Sequence, residues 1–186
     1  MLKSEIETIA TKHGFSVKNV PGDGNCMFHA IALQLLDNNL KNKIGEEKSK
    51  ELRCKIVEFL KNNDTTPTGE KYSSFLSGVG ENDREIKWST YLTSMSKPGI
   101  FGDEIILRAV SHCFNVRIRV LSTASPERFI DYHSPDISDD SSTVHLGFID
   151  KSLHYVRLQP KSTGKKLHFK SMVTFIQLQK NCGHVM

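Results

Sequence analysis

From Cys26 to Leu36 the chain reads CMFHAIALQLL, and only His29 and Gln34 interrupt its apolar residues. An apolar surface that continues nearly all the way round predicts a helix buried in the middle of a domain. Elsewhere the helical pattern is one-sided. Leu2, Ile6 and Ile9 recur at helical spacing, which predicts a short amphipathic helix over 2–13 closed by Gly14, a candidate lid or partner-binding element. Leu52, Ile56, Val57 and Leu60 predict a second helix ending before Thr65, Thr66 and Pro67. Residues 83–95 carry Ile86, Trp88, Tyr91, Leu92 and Met95, a helix that stops before Pro98 and packs Trp88 into the core. Over 102–113 the apolar residues Ile105, Ile106, Ala109, Val110 and Cys113 again share one face, with two acids at the start as the helix dipole prefers, and Asn115 ends the run.

The period then changes from helical to alternating. Val116, Ile118 and Val120 alternate with Arg117 and Arg119, which predicts a strand over 116–121. Residues 144–149 and 153–158 read as two further strands joined through Asp150, Lys151 and Ser152 as a hairpin. Alternation sends His154, Val156 and Leu158 to one face and Leu153, Tyr155 and Arg157 to the other. Residues 37–47 and 134–143 read as polar connections, and 68–80 as a short helix within loops. Past the last strand, 161–186 is basic and then carries Phe169, Met172, Val173 and Ile176, a terminal helix. Helices first and strands later indicate an α+β fold, a small central sheet flanked by helices. The expected organisation is a single domain over 1–186, with a core of about 15–160, the N-terminal helix 2–13 and a basic, helical extension 161–186.

Composition adds limits. A chain of 186 residues is long enough to bury roughly 70% of its unfolded surface in one core. Its 25 basic and 21 acidic residues leave a net charge of +4, which argues for a mildly basic globular protein and against nucleic acid as the main partner. The four cysteines, Cys26, Cys54, Cys113 and Cys182, form no close pair of the zinc-ribbon or redox type, so neither a metal nor another cofactor is expected. The first residues lack an apolar run of signal length, and no stretch is long and apolar enough to span a bilayer. Reduced thiols in a cytoplasmic compartment are the expectation, with the host cytosol as the counterpart for a bacterial or viral protein.

The segment preceding the buried helix is VPGDGN, residues 20–25. Pro21, Gly22 and Gly24 permit a tight loop, and Asp23 and Asn25 can bond nearby backbone amides. Cys26 therefore stands on the first turn of a buried helix, where unbonded N–H groups and the positive end of the dipole stabilise a thiolate and an adjacent oxyanion. A thiolate nucleophile needs a base, and histidine titrates near neutrality. Of the eight histidines, His13, His133, His168 and His184 read as surface residues, and His112 as packed or solvated. His29 lies on the same helix as Cys26, a poor place from which to face the thiol across a bound carbonyl. His145 and His154 remain, and His154 is preferred because it begins its strand directly after a turn.

PGDGNCMFHAI resembles the signature of the ovarian-tumour (OTU) domain cysteine proteases, most of which are deubiquitinases. FGDEIILRAVSHCFNVRIRVL, from Phe101, is similar to the helix and strand that follow in that family, with phenylalanine where tryptophan is usual, and LHYVRL to its closing His-Tyr strand. The resemblance implies a papain-like fold, Cys26 as nucleophile and His154 as general base and acid. It also implies Asp23 as an aspartate of the loop that shapes the oxyanion hole, together with Gly22, Gly24 and Asn25. Asp23 in a Gly-Asp-Gly turn has a second reading, as a residue that only holds the turn. Val156 occupies the position where many family members carry the Asp or Asn that orients the histidine. That leaves Asp23, Asp150 or a bare Cys-His dyad. The implied activity is hydrolysis of isopeptide bonds at the C-terminal glycine of ubiquitin by a monomer, with ubiquitin or polyubiquitin as partner and ubiquitin-like modifiers as alternative substrates. The glycines at 22 and 24 are expected to leave a narrow approach suited to a diglycine end. Two other readings are a catalytically idle ubiquitin-binding module and a nucleic-acid or scaffold role for the basic stretch 161–170.

Overall fold

In a computed structural model the described residues are 4–35, 46–76, 79–80, 84–85, 87–135, 137–138 and 141–161. Leu2, Leu36, Gly78, Ile86, His168, Cys182, His184, most of the connection at 37–47 and the extension after Lys161 lie outside them. Helix α1 (Glu5–Lys12) starts behind Ser4, whose N–H donates to the Glu7 carboxylate at 2.8 Å. Strand β1 (Phe15–Lys18) leads to the loop and to helix α2 (Cys26–Leu35). Helix α3 (Glu46–Asn62), a 3-10 turn (Tyr72–Phe75), the two-residue strands β2 (Val79–Gly80) and β3 (Arg84–Glu85), and helix α4 (Trp88–Met95) follow. Helix α5 (Glu104–Phe114) is capped at its start by Asp103, whose carboxylate accepts from the Ile106 N–H at 3.2 Å, and closed by Asn115 at φ 50°. The last third of the chain is β4 (Arg117–Ser122), β5 (Ser125–Tyr132), β6 (Thr143–Ile149) and β7 (His154–Pro160).

The sheet runs in the order β1-β7-β6-β4-β5. Only β4 and β6 pair in parallel; the other neighbours are antiparallel. Burial divides the apolar residues between the two faces. On one, Ile118, Val120, Val144 and Leu146 join the interior of α2, α3, α4 and α5, with Met27, Phe28, Ile31, Ile56, Leu60, Ile105 and Ile106 at its centre. On the other, Leu121, Val156 and Leu158 pack against Ile6, Ile9 and Ala10 of α1. This is the α+β arrangement expected, a small sheet between helices. Gln34 locks α2 onto β6: its Oε1 accepts from the His145 N–H at 2.8 Å and its Nε2 donates to the His145 carbonyl at 2.9 Å. An amide side chain thus bonds the strand as another strand would, fixing the helix that carries Cys26.

Several sequence expectations need correction. Helix α1 is not a lid, because its apolar stripe forms one of the two interiors. The connection expected over 37–47 gives way to α3 at Glu46, since Glu, Lys and Ser residues in a first turn cost a helix little. The helix expected over 83–95 begins only at Trp88, and Arg84–Glu85 pairs instead with Val79–Gly80. Strands β1 and β5 were not foreseen. Both are edge strands without a buried residue, so the apolar alternation that marks an interior strand is missing from them. Trp88 is half-buried, stacked on Tyr91 with ring centroids 5.2 Å apart. Among the described residues no helix is long and apolar enough to cross a membrane, and Cys26, Cys54 and Cys113 are free thiols.

Candidate active site

Cys26 is the first residue of α2 and is 2% exposed. The first intrahelical bond joins the His29 N–H to the Asn25 carbonyl at 2.9 Å, so the N–H groups of Cys26, Met27 and Phe28 precede the helical ladder and point out of its positive end. The loop before it is shaped by three contacts. Asp23 Oδ1 accepts from the Asn25 N–H at 2.9 Å, closing an Asx turn, and Asp23 Oδ2 accepts from His29 Nε2 at 3.1 Å. Burial works against the Asp23 charge, but the bonds from His29 and Asn25 overcome it and hold the carboxyl at about 2, ionised at every physiological pH. Gly24 is the residue at positive φ, +77°, and a Cβ there would stand 2.0 Å from the Gly99 carbonyl oxygen. Its glycine serves close packing against the loop between α4 and α5. That corrects the expectation that Gly24 keeps the approach open for substrate.

Asn25 is buried, and its side chain faces inward. Oδ1 accepts from Arg53 Nη2 at 2.7 Å and from the Gly99 N–H at 3.0 Å, while Nδ2 donates to the Asp23 carbonyl at 3.4 Å. With its backbone N–H turned to Asp23 as well, Asn25 shapes the loop, and the outward donors are those of the helix start.

The opposite wall of the site is the start of β7. The Tyr155 N–H donates to Cys26 Sγ at 3.5 Å, bringing the thiol against the backbone next to His154. The His154 ring lies beside Gly22, with Cε1 and Nδ1 each 3.9 Å from the position a Cβ would take there. Its other nitrogen, Nε2, contacts Asn19 Oδ1 at 2.9 Å. An amide oxygen only accepts, so Nε2 carries the proton and Nδ1 keeps its lone pair on the side of the loop. Partial burial lowers the His154 pKa from the ordinary histidine value, which keeps the ring neutral.

Asn19 was absent from the sequence-based set, and neither aspartate weighed for its place bonds His154. Asp23 is turned to His29, and the exposed Asp150 begins the 3-10 turn before β7, its N–H donating to Thr123 Oγ1 at 3.0 Å. The signal that would have found Asn19 is β1. Lys18 pairs with Arg157, so continuing that antiparallel register by one residue sets Asn19 opposite Val156. The amide therefore comes from across the strand pair, at the level where the family more often supplies it from the histidine's own strand.

The other described histidines are occupied elsewhere. His29 is buried on Asp23. His145 lies on the α1 side among Phe15 and Phe129, and burial lowers its pKa to about 4. His112 bonds the Tyr72 hydroxyl. His13 is half-buried and bonded to the Pro126 carbonyl, where an exposed ring was expected, whereas His133 is exposed as expected, its ring on the Ser134 carbonyl.

With this geometry in view, comparison with known proteins is specific. A family model described as OTU-like cysteine protease matches residues 21–155. The chain is 31% identical over 160 residues to the "Putative ubiquitin thioesterase 232R" of Invertebrate iridescent virus 3, an alignment covering 84% of this chain and 17% of that protein. The chain thus spans about a sixth of the length of that curated relative. Among solved structures, the OTU domain of OTUD1 superposes with a TM-score of 0.63 at 13% identity, covering 83% of this chain and 92% of that one. The Hazara virus OTU bound to ubiquitin superposes with a TM-score of 0.55 at 18% identity, covering 82% and 85%. At these identities the structural likeness is one of fold.

Proposed function

The chain belongs to the family of OTU-like cysteine proteases, and from that premise we propose that it is a deubiquitinase, hydrolysing the isopeptide bond between the C-terminal glycine of ubiquitin and a lysine amine. The observation that carries the reading is the convergence of the α2 start and the β7 start, with Cys26 against the Tyr155 N–H and His154 held by Asn19. In this scheme the Cys26 thiol gives its proton to His154 Nδ1, and the sulfur attacks the glycine carbonyl carbon. The tetrahedral oxyanion meets the N–H groups at the start of α2. His154 then returns the proton to the departing lysine nitrogen, leaving a thioester. Water, deprotonated by His154, adds to that thioester, and the collapse frees the carboxylate and restores the thiol. Asn19 keeps the imidazole in the tautomer this cycle needs.

Ubiquitin is taken as the substrate because the viral relative carries a ubiquitin thioesterase name and the Hazara virus domain is a ubiquitin complex. Modifiers that share a diglycine end are its competitors. The domain is taken to act as a monomer in a reducing compartment where Cys26 stays free. The test is incubation with ubiquitin bearing a C-terminal electrophile, followed by intact mass. One adduct on the wild type and none on Cys26→Ala are expected. A folded wild type that stays unmodified, or an equal adduct on Cys26→Ala, overturns the proposal, and parallel probes built on ubiquitin-like modifiers rank the substrates.

A further inference from the structure

Arg53 of α3 is 1% exposed, among the most deeply buried side chains in the protein. Removing a guanidinium from water costs several kcal/mol even after relaxation, and buried arginines usually recover that cost from a carboxylate. Among the described residues, none of the acceptors on Arg53 is a carboxylate. Nη1 donates to the Met95 carbonyl at 3.0 Å and approaches Met95 Sδ at 3.5 Å. Nη2 donates to Asn25 Oδ1 at 2.7 Å, to the Ile100 carbonyl at 2.7 Å and more weakly to the Gly24 carbonyl at 3.4 Å. Its Cζ lies 3.9 Å from the Phe28 ring centroid, and Nε has no partner among the described residues.

These acceptors fall into two groups. Gly24 and Asn25 form the loop immediately before Cys26. Met95 ends α4 and Ile100 lies in the connection from α4 to α5, whose Gly99 packs against Gly24. One planar cation therefore ties together two loops that no regular ladder joins, and the Asn25 amide, which also accepts from Gly99, is the shared node. Gly24 O and the Asn25 N–H belong to one peptide unit. Fixing its oxygen on Arg53 and its hydrogen on Asp23 sets that plane, and with it the direction in which the next N–H, that of Cys26, is presented.

We propose that Arg53 is a positioning residue for the hydrolytic reaction, setting the aim of the oxyanion-binding N–H groups at the start of α2 through Asn25 and Gly24. This rests on the reading of Cys26 as nucleophile. Arg53 touches neither substrate nor thiol, so its loss should slow the step in which negative charge develops and leave the binding of ubiquitin nearly unchanged. A shift of the donors by about an ångström corresponds to a fall of about 100-fold in rate.

The test uses the full chain as Arg53→Met, which keeps the volume, and Arg53→Lys, whose single ammonium cannot span the carbonyls and the amide together. Turnover of ubiquitin carrying a fluorogenic C-terminal amide gives kcat and KM. Alkylation of Cys26 by iodoacetamide, followed on the Cys26 peptide by mass spectrometry so that Cys54 and Cys113 do not contribute, reports the thiol without any oxyanion. For Arg53→Met the expected result is kcat down about 30- to 100-fold, with KM and the alkylation rate each within about threefold of wild type. Arg53→Lys should fall between. Asn25→Ala is the second variant, should Arg53→Met not fold. It should show the same loss confined to kcat, and the double variant should be no slower than the worse single one. A kcat within about threefold of wild type in folded Arg53→Met or Asn25→Ala overturns the proposal, as does a fall in kcat matched by an equal fall in alkylation. If wild type itself turns over no ubiquitin substrate, the enzymatic reading has failed instead.

Discussion

Replacing Asn19 by alanine removes the acceptor from His154 Nε2 and leaves the thiol, the loop and the helix start untouched. While the imidazole is neutral this hydrogen bond contributes about 1 kcal/mol, and once the ring has taken the Cys26 proton the charge-assisted bond is worth about 1.5–3 kcal/mol. Only the difference of about 0.5–2 kcal/mol lowers the barrier, which at 1.36 kcal/mol per decade is about two- to thirtyfold in kcat/KM. Because Asn19 is exposed, water can take over as acceptor, so a loss of about tenfold is expected. Steady-state hydrolysis of the fluorogenic ubiquitin amide measures it. The pH profile gives an independent readout. His154 must be neutral to act as base, and burial lowers its pKa, so the acid limb of kcat/KM for the wild type lies below the ordinary histidine value of 6.5. Asn19→Asp places a carboxylate beside the ring, stabilises the imidazolium and moves that limb upward while preserving an acceptor. Full activity in Asn19→Ala together with an unmoved limb in Asn19→Asp would refute the assignment of Asn19.

The other predictions concern the loop. If Asp23 only holds the turn, Asp23→Asn retains an acceptor for the Asn25 N–H and keeps kcat/KM within about threefold, whereas Asp23→Ala loses tenfold or more, about the worth of one hydrogen bond. Equal losses in the two variants would show that the charge itself is needed. The Asp23 carboxyl is lowered from 3.8 to about 2 in the folded protein, so its stabilisation is complete above 3.8 and is lost as pH falls to about 2. Acid unfolding of Asp23→Asn should be correspondingly flatter over that window. Gly24→Ala meets both the positive φ and the Gly99 oxygen. The left-handed backbone alone costs about 1–2 kcal/mol, so Tm should drop by about 4 °C or more with turnover impaired, and an unchanged Tm would contradict the packing described.

The parts of this site readable in the sequence were those with local signatures. Cys26 follows a glycine-rich turn and opens an apolar helix, and His154 opens a strand after a three-residue turn; both patterns lie within a dozen neighbours. Asn19 and Arg53 depend on contacts between residues far apart in the chain. Asn19 meets His154 through the β1–β7 register, and β1, four half-buried or exposed residues on an edge, carries no apolar signal. Arg53 sits in ELRCKIVEFL on a helix whose apolar stripe was plain, but a charged residue on such a helix reads by default as solvated. Its burial becomes visible only when the loops above it supply four oxygens. Strand β5 escaped for the same reason as β1, since its pairing with β4 is a matter of backbone bonds that side-chain patterns do not encode.

The pairing of Phe15 with Pro160 joins nearly the two ends of the described chain. Loop closure over such a separation is among the last contacts that chain entropy allows, because it gains nothing until the intervening segments are in place. The same closure brings Asn19 and Cys26 to His154. A nascent chain that has emerged only as far as Ile149 already holds the thiol, its helix and the turn before it, yet has no base. Under the proposed mechanism, hydrolytic competence is thus deferred to β7, the last strand among the described residues, and a shorter nascent chain would carry a cysteine that cannot turn over substrate.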